Sequence, residues 1–318
     1  MRTYDYDLKG KIGSYDNITQ KVHCIHADSI AEISDCKVDN ARQPAWVATH
    51  NRRSGDEADR WLGIKGGRKA VEAAATEGWS EGAELMERYA QQLLEYEDIT
   101  VNAAMASRKR RKRSRGDNGM AVDMERVYNG QLETAWTRMK HVQKIQQSPR
   151  NVVVFIDVST AASVSASSSL WRGALAFGIT QYLIQAGYSV KVVGGAIVRA
   201  LYEGEGSKDV TTMSCTVKEY DSHISPDHLA LVSSVAFMRH YVFKAQATHP
   251  TKQVTSCYGS LADKCVDALP EDLKKDVEAG VRVLHVPSTT GDFQSAKLSL
   301  LKVIEQLKAH RTDNRVGR

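Results

Sequence analysis

Cysteine, proline and aromatic side chains are scarce in this chain of 318 residues, with 5 Cys, 6 Pro and 7% Phe, Trp and Tyr. The cysteines, Cys24, Cys36, Cys215, Cys257 and Cys265, are odd in number and thinly spread, and no Cys-x-x-Cys pair occurs. A chain this long buries a core of its own and needs no disulfide framework, so a reducing cytoplasm is the expected compartment. No stretch approaches the roughly 18 apolar residues of a spanning helix, so no membrane partner is expected. Met1 to Asp7 contain no apolar signal core, which argues against secretion. With 42% hydrophobic and 25% charged residues the composition is globular, excluding collagen-like, mucin-like and wholly disordered classes.

Carboxylates are missing from the one segment that sets the charge. Arg108, Lys109, Arg110, Arg111, Lys112, Arg113 and Arg115 put seven cations into eight residues, broken only by Ser114. Subtracting them from the formal +5 leaves −2 for everything else, so the basicity is local. Like charges so close repel strongly, and the turn-type cluster Gly116-Asp117-Asn118-Gly119 follows. A solvated basic loop over residues 108–119 is therefore expected. Lys and Arg contact phosphates without reading sequence, so the loop suits DNA or RNA. It holds no aromatic residue, and any base stacking would come from Tyr128 or Trp136 on its flank. A plain surface loop, a docking site for an acidic protein and, in a eukaryotic host, a nuclear import signal are the competing readings.

Residues 1–107 read as a mixed and helical region. Short strands are expected near Val22–Ile25 and Trp46–Thr49, with an entry loop over Trp61–Gly67 and a helix over Arg68–Glu77. A second helix follows Gly78, with Ala83, Met86, Ala90 and Leu93 on one face. Residues 120–149 are expected to hold a connecting helix, Gln131–Gln146, ended by Pro149. Trp61 and Trp79 are expected to anchor the helical hairpin to the rest by packing.

From Arg150 the pattern is α/β. Val152–Ile156 is an unbroken apolar run, as in a strand buried on both faces of a parallel sheet, and it ends in Asp157. Hydroxyl residues Ser163–Ser169 precede an apolar helix, Leu170–Ala186, closed by Gly187, and Ser189–Val193 is the next strand. Strands at Val210–Tyr220 and Val281–Val286 and helices at Pro226–Ala247, Pro270–Ala279 and Phe293–His310 complete it. Ligands of such sheets gather at the carboxyl ends of the strands, where Asp157-Val158-Ser159-Thr160-Ala161 and Ser288-Thr289-Thr290-Gly291-Asp292 lie.

On these residues, 150–312 resembles the von Willebrand factor A fold, a Rossmann-like three-layer α/β domain. The first strand of that family ends in Asp-x-Ser-x-Ser and a later one in a Thr-Asp-Gly turn. The resemblance implies that Asp157, Ser159 and Asp292 hold Mg²⁺, with Thr211 or Thr212 entering from another loop, and that a partner's carboxylate completes the site. It implies a protein partner such as an ATPase. The chain departs from the pattern at Ala161, which cannot ligate, and in the order Thr-Gly-Asp. The alternative is a metal-free domain whose Asp157 only caps the following turn. Trp61-Leu62-Gly63, Gly78 to Gly82, Tyr128-Asn129-Gly130, Ala135-Trp136 and Leu170 to Ala174 are similar to a family of uncharacterised bacteriophage proteins, implying a bacterial host cytoplasm and no assigned activity.

Other constellations are weaker. His23, Cys24, His26, Cys36 and His50 are zinc-ligand types in no standard spacing. Gly63 to Lys69 lacks the order of a phosphate loop and follows no buried strand. Ser159 has no evident base, and only His249 lies near Cys257 and Cys265 in sequence. The expectation is a binding protein rather than an enzyme.

Overall fold

The computed structural model describes residues 1–12, 15–36, 52–96, 111–116, 121–141, 150–160, 163–199, 210–248, 279 and 281–316. An antiparallel hairpin, β1 (Arg2–Ile12) and β2 (Tyr15–Ala27), leads into a single helical turn, α1 (Ile30–Ser34). Helices α2 (Gly55–Leu62), α3 (Gly67–Glu77) and α4 (Ser80–Tyr96) follow. Next come β3 (Arg111–Gly116), β4 (Ala121–Val122), the short helix α5 (Met124–Tyr128), a 3-10 turn at Leu132–Thr134 and β5 (Trp136–His141). The remainder runs β6 (Arg150–Asp157), α6 (Ala166–Gln185), β7 (Tyr188–Arg199), β8 (Val210–Lys218) and α7 (Pro226–Ser233). A π-helical stretch, Phe237–Val242, continues into α8 (Phe243–Thr248), and β9 (Arg282–Val286) and α9 (Phe293–Val316) close the described chain.

The principal sheet is mixed, in the order β1-β2-β8-β7-β6-β9. Strand β6 has parallel neighbours on both sides, β7 and β9, while β8 returns antiparallel to β7 and β2 joins β8 in parallel. The unbroken run Val152–Ile156 suits this central place, since all five side chains are buried. A parallel neighbour requires a crossover, which α6 supplies. Its start is capped by Ser165, whose Oγ accepts from Ser168 N at 3.1 Å. Its end is followed by Gly187 at φ 84°, the left-handed position anticipated there.

One apolar core joins the first half of the chain to the second. Ile25, Leu62, Met86 and Leu93 lie in the same cluster as Ile156, Leu175, Leu229, Val286 and Ile304. The anticipated face of α4, Ala83, Met86, Ala90 and Leu93, is wholly buried, and α4 packs on α6 and α7. Tyr89 of α4 stacks on Trp171 of α6 with ring centroids 4.0 Å apart. Both expected anchors are tied to the later part of the chain: the Arg239 guanidinium lies 4.4 Å from the Trp61 ring, and Trp79 N donates to Asp227 O at 3.2 Å. The turn between α3 and α4 comes so near α7 that a Cβ on Gly78, at φ 83°, would lie 2.3 Å from Asp227 Cβ.

Several expectations are corrected. The helix over Gln131–Gln146 does not form in its described part, because Trp136–His141 pairs with Arg111–Gly116 and the sheet hydrogen bonds override helical period. Leu132 and Trp136 are exposed while Ala135 between them is buried, so the period did not mark one buried helical face. The same pairing corrects the basic loop, since Arg111, Lys112, Arg113 and Arg115 belong to a strand. Arg108, Lys109 and Arg110 lie outside the described residues, as do Trp46–Thr49 and all of Pro270–Ala279 except Ala279. The helix over Pro226–Ala247 is interrupted at Ser234, whose extended backbone ends α7 and whose Oγ donates to Leu231 O at 2.6 Å. Trp61 and Leu62 end α2 rather than entering a loop.

His240 in the π-helical stretch couples this packing to pH. Burial, with Arg68 and Lys244 nearby, pushes its imidazole down from 6.5 to about 4, and Glu72 at 3.8 Å is too distant for a hydrogen bond that would offset them. The unfolded chain takes up this proton near 6.5 and the folded chain only near 4, so stability is lost as pH falls through that window. A loss of about 3 kcal/mol between pH 7 and 4 is expected from this residue. Urea midpoints of the wild type and His240→Gln should converge on acidification; parallel curves would remove His240 as the cause.

Candidate functional site

The carboxyl ends of β6 and β9 adjoin, with Ile156 in register with Val286, and their following segments carry the residues singled out by sequence. Asp157 closes β6 and is 1% exposed. One oxygen, Oδ1, accepts from Ser159 N at 2.9 Å, forming the side-chain turn that the metal-free reading anticipates. The other is buried without a hydrogen-bond partner, and so are Ser159 Oγ and Thr290 Oγ1 in the segment after β9. Each such atom left dry costs about 1–3 kcal/mol.

Beneath the turn lies Arg172 of α6, 1% exposed. Its Nε donates to Ser233 O at 2.9 Å, Nη1 to Ser159 O at 3.0 Å and Asp157 O at 3.3 Å, and Nη2 to Thr160 Oγ1 at 2.8 Å. Burial pulls its pKa down to about 10, Asp157 opposes that shift and Arg239 adds to it, so the guanidinium stays charged at neutral pH. Arg172 thus holds the turn through the carbonyls of Asp157 and Ser159 and the hydroxyl of Thr160. Thr160 Oγ1 donates to Val158 O at 2.9 Å, and Val158 N donates to Gly195 O at 2.8 Å, tying the turn to β7.

Asp292 precedes α9 and is exposed. Its Oδ1 accepts from Ser295 N at 2.8 Å and Ser295 Oγ at 2.9 Å, and these bonds hold its carboxyl below the usual range. Asp157 and Ser159 therefore share a buried turn, while Asp292 caps a helix after the adjacent strand. Thr212 is not available to this site, because it lies in β8 and its hydroxyl donates to Cys24 Sγ at 3.0 Å. Ala161 lies outside the described residues.

Among the described residues no group of three or more His, Cys, Asp and Glu side chains is placed to hold a metal ion. The cation reading consequently rests on hydroxyls with one or two carboxylates. The zinc residue types disperse: His26 Nδ1 meets Ser214 Oγ at 2.8 Å, Cys24 takes the Thr212 bond, and Cys36 donates to Glu32 O at 3.2 Å. His50, His249, Cys257 and Cys265 lie outside the described residues. Sequence reasoning missed Arg172 as the support of the turn and Thr290 as a buried hydroxyl beside it. A lone arginine within the apolar run of α6 was the available signal for the first.

No described helix is long and apolar enough to cross a membrane. No curated protein and no solved structure matches the chain. A family model described as a domain of unknown function, DUF7192, matches residues 12–308, and the chain belongs to that family.

Proposed function

We propose that this chain is a non-enzymatic adaptor whose sheet, arranged like a von Willebrand factor A domain, captures a carboxylate of a partner protein such as an ATPase through Mg²⁺ at Asp157, Ser159 and Asp292. The observation that carries the reading is the buried, unpartnered set Asp157 Oδ2, Ser159 Oγ and Thr290 Oγ1. These oxygens fit a hard cation, which accepts one or two carboxylates and keeps several waters. Charge fits as well: Asp157 and Asp292 against Arg172 give a net −1, and a dication turns this to +1, leaving the site attractive to one incoming carboxylate. An Mn²⁺ titration followed by electron paramagnetic resonance should show one saturable site that Mg²⁺ displaces. Asp157→Asn should abolish it while the circular dichroism spectrum is retained. Absence of ion binding by the folded wild type at millimolar Mn²⁺ would falsify the cation reading.

A second reading, a phage-encoded accessory protein acting on nucleic acid in a bacterial cytoplasm, is favoured by the strand pairing of the basic segment. Lys112 is in register with Lys140 across β3 and β5. Like charges directly opposite each other destabilise a sheet, and a polyanion relieves that repulsion.

A further inference from the structure

The small sheet has the order β3-β5-β4, and its register sorts its residues onto two faces. Trp136 lies opposite Gly116 on β3 and opposite Val122 on β4. Alternation then puts Arg138 and Lys140 on the same face as Trp136, and pairing adds Lys112, opposite Lys140. The register thus gives one face Trp136 and basic positions on two strands, and the position on β3 opposite Trp136 is a glycine, which has no side chain to cover the ring. Trp136 is 36% exposed. The segment is unusual in a second respect: Val122, Met124, Tyr128, Leu132 and Trp136 are exposed large apolar residues, and only Ile184 and Leu298 join them elsewhere among the described residues.

We propose that the face of this small sheet carrying Trp136, Arg138, Lys140 and Lys112 binds single-stranded nucleic acid, with Trp136 stacking on a base and the cations taking the flanking phosphates. The proposal rests on the second reading above and narrows it from any polyanion to an unpaired strand. Residues 108–141 contain ten Lys and Arg against four Asp and Glu, so charge favours a polyanion over an ordinary protein surface. An exposed ring on a face with basic positions favours unpaired bases over a duplex, whose bases offer no free face. Stacking on aromatic side chains is tolerant of sequence, and paired phosphate contacts make affinity fall with salt.

The test is fluorescence anisotropy of the full chain with labelled oligo(dT), oligo(U) and a duplex of equal length at several salt concentrations. Both single strands should bind more tightly than the duplex and quench tryptophan emission, and the two oligonucleotides separate a DNA from an RNA preference. Trp136→Ala should weaken single-strand binding about tenfold or more, Trp136→Phe should recover most of it, and Arg138→Gln with Lys140→Gln should flatten the salt dependence. Thermal unfolding of each variant checks that the fold is kept. Wild-type binding that prefers duplex, or that is indifferent to Trp136→Ala, overturns the stacking proposal while the phosphate reading survives. Failure to bind any oligonucleotide at low salt overturns both, as does binding to acidic lipid vesicles alone.

Discussion

Arg172→Met is expected to lower the free energy of unfolding by about 3–5 kcal/mol, the usual loss when one member of a buried charged network is removed. The guanidinium is fully buried and its donors serve the carbonyls of Ser233, Asp157 and Ser159 and the hydroxyl of Thr160. Methionine fills much of the volume but leaves those acceptors unpaired, and it removes the positive charge nearest a buried carboxylate. Arg172→Lys keeps the charge but cannot reproduce the fork of donors, so an intermediate loss is expected. The urea midpoint should fall at unchanged slope, and the double variant Asp157→Asn with Arg172→Met should recover part of the loss. A midpoint within error of the wild type for Arg172→Met would mean that the turn does not depend on the arginine, and the account of the site would have to be rebuilt.

Gly173→Val is expected to destabilise by about 3 kcal/mol, the upper end of the range for overpacking a core. A Cβ at this position would lie 2.7 Å from Ser233 Oγ, 2.8 Å from Ser233 Cβ and 2.9 Å from Met86 Sδ. The Met86 side chain can yield, but Ser233 Cβ moves only with α7, which would draw Ser233 O away from Arg172. Replacing glycine within a helix by a better helix former contributes up to about 1 kcal/mol in the opposite direction. The clash outweighs this gain because two helices must separate. Gly173→Ala should fall between, and equal or higher thermal stability of Gly173→Val would show that α7 repacks freely.

What was legible in the sequence was whatever a local pattern determines. The run Val152–Ile156 announced a doubly buried strand, and the spacing of Ala83, Met86, Ala90 and Leu93 announced the face of α4. Strand β5 was misread because Leu132, Ala135, Trp136 and Met139 fit a helical period, while its partner β3 lies upstream beyond three intervening elements. The place of β1 and β2 in the principal sheet was equally hidden, since β2 pairs with a strand from the far half of the chain. At the site, Asp157 and Ser159 were legible as an Asp-x-Ser after a buried strand. Thr290 and Arg172 were not, because burial of a hydroxyl or a guanidinium is decided by elements far apart in sequence.

The union of β2 with β8 also imposes a schedule on biosynthesis. His26 and Ser214, which pair across that junction, are 188 residues apart. At a translation rate of ~5–20 residues per second, β2 waits ~10–40 s for its partner to be made. A hairpin alone is marginally stable in water, and an unpaired strand edge invites other chains. Elongation speed between the two strands therefore sets how long the nascent protein stands open to aggregation or to chaperones, and codon changes confined to that interval should alter yield without altering the folded product.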